Sequence, residues 1–517
     1  MKLNYKRTIL VGFAFFLISM FWTAYDAIIP LILTNKFGMS QFWSGVIMAA
    51  DNILAVFLLP VFGALSDKCR SKRGRRTPFI TIGASLAAVL LLTLCFAERS
   101  QLGNIADISA IDDPAALSVI YDEQKDATLK SPEGDAFVLS EQFSKEEFTA
   151  IRSTVTDAET GKEEKNADYV NFVTPAREAC AAARTSAAPT ALICFIALLL
   201  GVLLSMAIFR SPAVALMPDV TVKPLRSKGN AIINLMGTAG GILSLVLGIV
   251  FATSSVENAM MPYTGFLCVI SGLMLIALGI FILTVREPLW VKQMQEDSVR
   301  YGIEDKEDTA TEQRKLSSKE MRSLIFILLS VALWYFGYNA VTSKYSVYAT
   351  NILQKNFNTT MLLAQGAAII AYIPSGLIAS KIGRKKTIMA GVVMLTTAFT
   401  IAAFLRAGSP DWLMNAMFIL AGIAWATINV NSFPMVVEMC SGGDVGKYTG
   451  FYYTFSMAAQ TITPMLSGYL MQHRGMTILF PYAAIFVGLA FVTMAFVMHG
   501  DNKVTAKVGL EALDVGD

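Results

Sequence analysis

The sequence predicts an all-α integral membrane protein, with twelve membrane-spanning helices arranged as two pseudo-symmetric bundles of six. Three observations predict it. First, 54% of the 517 residues are hydrophobic and only 16% are charged, against roughly 25% charged in a soluble protein. A chain this apolar cannot hide the excess in one water-soluble core. Second, apolar runs recur at even intervals, each near the ~20 residues a bilayer requires. Third, the two halves of the chain echo each other at corresponding positions.

The expected spans cover 8–33, 40–66, 78–97, 187–209, 230–253, 264–285, 323–348, 361–380, 387–405, 412–437, 450–471 and 478–498. The first run, Thr8 to Thr34, is too long for the apolar region of a signal peptide and lacks a small-residue cleavage site, so it is expected to stay as a span. Lys and Arg cluster after even-numbered spans: in Asp67–Arg76, at Lys223, Arg226 and Lys228, and in Lys381–Lys386. By the positive-inside rule these loops and both termini face the cytoplasm. The expected organisation is therefore 1–97 as spans one to three and 98–186 as an external polar insert. Spans four to six follow at 187–285, then a cytoplasmic linker at 286–322. The second bundle occupies 323–498, with a cytoplasmic tail at 499–517. Acids outnumber bases by about two to one in the insert. A structureless loop of that length is unusual, so a small helical cap or a flexible segment is expected there.

Several function classes drop out. A net charge of +3 with no basic domain gives nucleic acid no footprint. Two His and six scattered Cys offer neither metal spacing nor a disulfide framework, so no metal and no organic cofactor are expected. The glycines at 237, 240 and 241 lie in an apolar helix and lack the following Lys and Ser/Thr of a phosphate loop. There is no nucleophile–base pair, so the chain is not expected to be an enzyme.

The internal echo is specific in place. Trp22–Ala27 (WTAYDA) in the first span answers Trp334–Ala340 (WYFGYNA) in the seventh. Gly63–Arg76 after the second span answers Gly376–Lys386 after the eighth. Repeats of this kind place a substrate site at the midplane between the halves.

Ser66-Asp67 leading to Gly74-Arg-Arg-Thr-Pro78 resembles the signature loop between helices 2 and 3 of the major facilitator superfamily. Its form is closest to the sucrose-type carriers and the glycoside–pentoside–hexuronide cation symporters. Arg210–Asp219, Arg226–Asn230 and Trp425–Pro434 are similar to further stretches of that group. The resemblance covers all the spans but not 98–186. It implies the major facilitator fold and cation-coupled uptake of a disaccharide or other glycoside by rocking of the two bundles. It implies gating, without substrate contact, for Asp67, Arg70, Arg73, Gly74, Arg75 and Arg76, and for Gly383 and Arg384 in the second half. The sequence also departs from the group. Two helix-2 positions that hold carboxylates in sodium-coupled relatives are Ala55 and Leu59 here, which favours a proton over sodium. Ser380 stands where an Asp is usual, which weakens the second latch.

Ionisable residues inside a span cost at least about 2.5–3.5 kcal/mol, so they are the sharpest functional pointers. Asp26 and Asp51 are the proton-coupling candidates; the bland readings are an acid solvated at the outer mouth and an interhelical hydrogen bond. Arg210, at the expected end of span four, either pairs with an acid of the N-terminal half, binds sugar hydroxyls or snorkels to the headgroups. Lys344 either lines the outer vestibule or snorkels. Glu438 reads as an interfacial gate residue. Amides donate and accept, which suits a neutral sugar. Asn234, Asn339, Gln365, Asn429, Asn431 and Gln460 are therefore binding candidates, set against ordinary helix–helix bonding. Trp22, Tyr25, Trp334, Tyr338 and Trp425 can stack on or bond a pyranose, although aromatics also belong at interfaces. The expectation is a proton-coupled sugar importer of the cytoplasmic membrane, able to work as a monomer in the lipid bilayer. The rivals are a carrier of another substrate class, such as a drug exporter, and a membrane sensor built on the insert.

Overall fold

A computed structural model describes residues 3–156, 163–222, 225–301, 317–437, 439 and 445–499. Glu438, Lys223 and most of the expected linker centre and C-terminal tail lie outside them.

The N-terminal half contains α1 (Tyr5–Leu31), α2 (Gln41–Lys68), α3 (Thr77–Asn104), α9 (Thr190–Asp219), α10 (Arg226–Val250) and α11 (Thr264–Thr284). Between α3 and α9 lie α4 (Ala106–Ser109), α5 (Pro114–Gln124), α6 (Leu139–Gln142), α7 (Lys145–Ala150) and α8 (Thr174–Ala187). Two small antiparallel hairpins complete this segment, β1 (Thr128–Lys130) with β2 (Ala136–Val138) and β3 (Thr154–Thr156) with β4 (Glu163–Lys165). After α12 (Glu287–Arg300) come α13 (Ser318–Tyr348), α14 (Phe357–Ile382), α15 (Arg384–Ala402), α16 (Asp411–Val437), α17 (Val445–Arg474) and α18 (Leu479–Ala495).

Local chemistry sets the starts. Asn4, Ser40 and Asn356 cap α1, α2 and α14 through side-chain oxygens, and Ser317 with Glu320 forms a capping box on α13, satisfying backbone donors that have no helical partner. Among the described residues eleven helices are long and apolar enough to cross a membrane. The helix α17 occupies the place of the expected eleventh span but is not one of those eleven. The chain is a multi-pass membrane protein with its long helices in two bundles.

Two helices run past their expected ends, for reasons of side-chain bonding rather than hydropathy. Helix α3 continues beyond residue 97 because Glu98 and Gln101 are buried: Glu98 pairs with Lys36, and Gln101 donates to the Lys36 carbonyl and to Thr185. Helix α9 continues through Pro212 and Pro218 to Asp219, which Arg75 and Arg76 hold. Arg210 therefore lies inside α9 and not at its end.

Each half has its own apolar core. Phe21, Ile28, Phe209 and Phe281 belong to the first; Trp334, Tyr348, Phe399 and Phe480 to the second. The insert has a third, around Leu117, Ile120, Phe148 and Val173. Within the halves α1 packs on α10, α3 on α9, α14 on α16 and α13 on α18; across them α2 packs on α17 and α10 on α14. Bonds between the halves gather at the ends remote from the Lys/Arg-rich loops, the external side by charge bias. Lys344 Nζ donates to the Gln41 carbonyl at 2.8 Å, and Asn358 Nδ2 donates to Thr253 Oγ1 at 3.0 Å. Ser346 Oγ reaches the Asp26 carbonyl at 3.5 Å. The external ends of the bundles are thus drawn together.

Candidate functional site

The echoing motifs of α1 and α13 come to face each other between the halves. On α1, the Trp22 ring packs edge-on to Tyr25 at 5.4 Å, with the Arg210 guanidinium of α9 5.9 Å from the Trp22 ring. Asp26 interacts electrostatically with Asp51 of α2, and Asp51 with Arg210. Asp51 also accepts from Asn52 Nδ2 at 2.9 Å. The hydroxyl of Tyr25 and the indole N–H of Trp22 are buried without a hydrogen-bond partner. Buried polar groups ordinarily find partners, so the N-terminal half presents two carboxylates, a guanidinium and two unspent polar groups in one region.

The opposing half presents aromatic rings. Tyr338 of α13 stacks on Trp425 of α16 with centroids 3.6 Å apart and planes 5° from parallel, and Tyr335 meets the same indole edge-on at 5.3 Å. Tyr338 interacts electrostatically with Asp26 across the interface and with Tyr372 of α14. Tyr335 is in turn linked to Tyr452 and Tyr453 of α17, and Tyr452 shares a hydrogen bond with Ser432 at 3.0 Å. These tyrosines outside α13 are the residues that sequence reasoning missed. They carried no clear sequence signal, since Tyr452 and Tyr453 stand at the start of the expected eleventh span, where an interfacial tyrosine is ordinary.

The other candidates divide. Gln365 of α14 lies against Gly241 of α10, between the halves. Asn234 on α10, Asn429 on α16 and Gln460 on α17 are partly buried. Asn339 and Asn431 spend their amide donors on their own helices, at the carbonyls of Tyr335 (3.0 Å) and Thr427 (2.9 Å). Trp334 is 1% exposed and packs in the core of its own half, although it lies only one helical turn before Tyr338 and so near the same side of α13. Lys344 does not snorkel; it is fully buried at the external seal.

The gating candidates are also sorted by geometry. Arg76 pairs with Asp67, bonds Asp219 at 2.8 Å and donates to Ser66 Oγ at 2.5 Å; Arg75 pairs with Asp219 at 3.1 Å. Beneath them Glu287, 1% exposed, accepts from the backbone N–H groups of Arg75, Arg76 and Thr77 and from the Thr77 hydroxyl at 2.7–3.1 Å. Gly74 holds φ of 110°, and an added Cβ would lie 2.2 Å from Glu287 Oε2, so this position needs glycine twice over. Arg70 and Arg73 stand exposed, outside this cluster. The cluster ties α2, α3 and α9 of one half to α12, the helix that follows that half. In the second half Gly383 (φ 95°) separates α14 from α15, Arg384 is buried, and Lys385 donates to the Ala495 and Val497 carbonyls. Among the described residues no group of His, Cys, Asp and Glu is placed to hold a metal ion.

Comparison with known proteins agrees with this architecture. Residues 346–512 match the family model described as Major Facilitator Superfamily, and residues 10–103 match the one described as MFS/sugar transport protein. The chain is similar to the MFS-type transporter ppzB of Metarhizium rileyi, 25% identical over 142 residues, which are 28% of either chain. It is also similar to the sucrose transport protein SUC4 of Arabidopsis thaliana, 33% identical over 74 residues, 14% of this chain and 13% of that one. The matched stretches thus span less than a third of these relatives' lengths. Among solved structures, a bacterial homologue of the iron transporter ferroportin in its inward-facing state matches 96% of this chain and 99% of its own, with a TM-score of 0.59 at 12% identity. The inward-open xylose transporter XylE of E. coli matches 99% of both chains with a TM-score of 0.56 at 13% identity. At such identities the likeness shows the fold, which is the major facilitator fold.

Proposed function

We propose that the chain, parts of which match the models described as Major Facilitator Superfamily and MFS/sugar transport protein, is a proton-coupled importer of a disaccharide or other glycoside in the cytoplasmic membrane. It works by alternating access and is sufficient as a monomer. The observation that carries this reading is the pairing of opposite chemistries across the midplane. Asp26, coupled to Asp51 on the same half, faces Tyr338 on the other, whose ring lies on Trp425. An indole face packs against the apolar face of a pyranose. Carboxylates, phenols and amides bond its hydroxyls. A carboxylate that can be charged or neutral links that binding to a proton. Ala55 and Leu59, apolar where a sodium site would need oxygens, support the proton. The similarity to a sucrose transport protein supports the sugar.

The cycle follows from the seals. With the external ends joined through Lys344 and Asn358, the site communicates with the cytoplasmic side. Separation of those contacts, with approach of the cytoplasmic ends, turns it outward. Proton and sugar then enter together, and Asp26 or Asp51 carries the proton.

The test is uptake of radiolabelled sucrose, maltose and related glycosides into cells expressing the chain, with and without a protonophore. Accumulation is expected to collapse with the protonophore. Asp26→Asn is expected to lose uphill accumulation by more than tenfold while still exchanging sugar down its gradient. If Asp26→Asn concentrates sugar normally, the coupling assignment is wrong. A chain present in the membrane that moves none of the panel returns the substrate to an unbiased screen.

A further inference from the structure

The insert between α3 and α9 has no part in the site above, yet it touches both halves, and it does so unequally. To its own half it is bound broadly. Its core packs with Val256 and Met260 from the connection after α10. Thr185 accepts from Gln101 of α3, and Lys165 Nζ donates to the Ser254 carbonyl at 3.1 Å. Inside the insert, Arg184 ties α8 to Asp107 and Glu123. These contacts fix the segment to the N-terminal half.

To the other half, among the described residues, it bonds through the tip of the β1–β2 hairpin; elsewhere Lys165 meets Lys355 of that half only as like charges. The Pro132 carbonyl accepts from the backbone N–H of Met476 at 2.7 Å. Glu133 pairs with Arg406 at 3.3 Å. Gly134 and Gly475 meet backbone to backbone: a Cβ on Gly475 would lie 2.0 Å from the Glu133 carbonyl oxygen, and one on Gly134 2.9 Å from the Gly475 Cα. Both glycines have positive φ, 104° and 87°, a conformation that side chains resist. Arg406 precedes α16 and Gly475 follows α17, so both partners lie at the external ends of the C-terminal bundle.

We propose that the hairpin tip, Ser131–Asp135, is a clasp on the external gate. It joins the two halves only while their external ends are together, so it favours the inward-facing form and must release before the site can open outward. The proposal rests on the alternating-access reading above. It assigns the insert a role in setting the balance of the two forms rather than in binding a ligand of its own.

The test reads the gate directly and without substrate. Gln41 is 7% exposed at the external seal, and its side-chain oxygen has no partner. Gln41→Cys therefore places a thiol that a maleimide reaches only when the external ends part, read against the parent chain's own cysteines. Replacing Ser131–Asp135 by Asn-Gly keeps β1 and β2 in register through a two-residue turn and removes the clasp. In the full chain in lipid nanodiscs, labelling of the reporter is expected to rise about tenfold, the size of losing one hydrogen bond and a half-exposed ion pair. Arg406→Glu alone is expected to raise it about threefold, and Glu133→Arg with Arg406→Glu to return it to the starting rate. Unchanged labelling in the chain without the tip overturns the clasp. If that chain fails to fold, unchanged labelling in Arg406→Glu does so. A chain that transports no sugar but whose labelling follows this order keeps the clasp and loses only the substrate assignment.

Discussion

The two cytoplasmic loops that answer each other in the repeat are built on different principles. After α2, two arginines, two aspartates and a glutamate form a closed network in which nearly every buried donor has an acceptor. After α14, Ser380 stands where Asp67 stands in the first loop, and its hydroxyl turns back to the Leu377 carbonyl of its own helix at 2.7 Å. The same asymmetry holds at the midplane, where the first half supplies the charges, beside Trp22 and Tyr25, and the second supplies rings without charge.

The largest effect expected from this contrast is at Glu287. Its carboxylate satisfies three backbone N–H groups and a hydroxyl in a buried setting. Removing one partner of a buried charged network leaves the others unpaired and costs about 3–5 kcal/mol. Glu287→Ala is therefore expected to lower the thermal midpoint of the detergent-solubilised chain sharply, with α2 and α3 losing hydrogen-exchange protection first. Protection lost equally in both halves would break the claim that this network serves one half.

A second buried acid sharpens the point by lacking what Glu287 has. Glu178 sits on α8 of the insert with one carboxylate oxygen buried and unpartnered, and burial alone pushes its carboxyl up from 4.5 to about 8. The folded chain therefore holds a proton there that the unfolded chain releases. Linkage then makes the associated stability complete below about pH 4.5 and lost as the pH rises through about 8. Hydrogen exchange at α8 is expected to quicken over that range, and Glu178→Gln to remove the pH dependence and slow exchange at pH 8. An unchanged profile in Glu178→Gln would place the titration elsewhere.

The sequence carried much of this, for identifiable reasons. Bilayer thickness imposes a length on every span, so apolar runs announced the helices. The cost of burying charge singled out Asp26 and Asp51 from one line of text. The ends of α3 and α9 were not legible, because Glu98, Gln101 and Asp219 look like loop residues until their partners are known. Glu287 escaped for the same reason: its partners are backbone amides more than two hundred positions away. Trp334 and Tyr338 stand one turn apart on the same side of α13, so the motif could not say which ring packs inward and which meets Trp425.

At the midplane a smaller effect separates the roles of the halves. Trp425→Ala removes the indole on which Tyr338 lies. Loss of stacking surface worth about 1–2 kcal/mol is expected to raise the half-saturating sugar concentration roughly tenfold while leaving accumulation sensitive to the protonophore. Asp26→Asn should show the converse. If Trp425→Ala instead uncouples transport, the division into a charged half and an aromatic half fails.

The smallest expected effect is the most direct check on the loops. Ser380 is partly exposed and bonds within its own helix turn, so Ser380→Ala should change stability by less than about 0.5 kcal/mol, as for other surface substitutions. Asp67→Ala, at the answering position, removes a carboxylate from Arg76, whose guanidinium is 7% exposed. Asp219 still holds that guanidinium from the other side, so the expected loss is about 1–2 kcal/mol, within the range for hydrogen bonds to charged groups. The ratio matters more than either value, since both variants delete a small polar group at the same place in the repeat. Equal effects from the two would mean that the first loop's network is a surface ornament and that its strength resides in Glu287 alone.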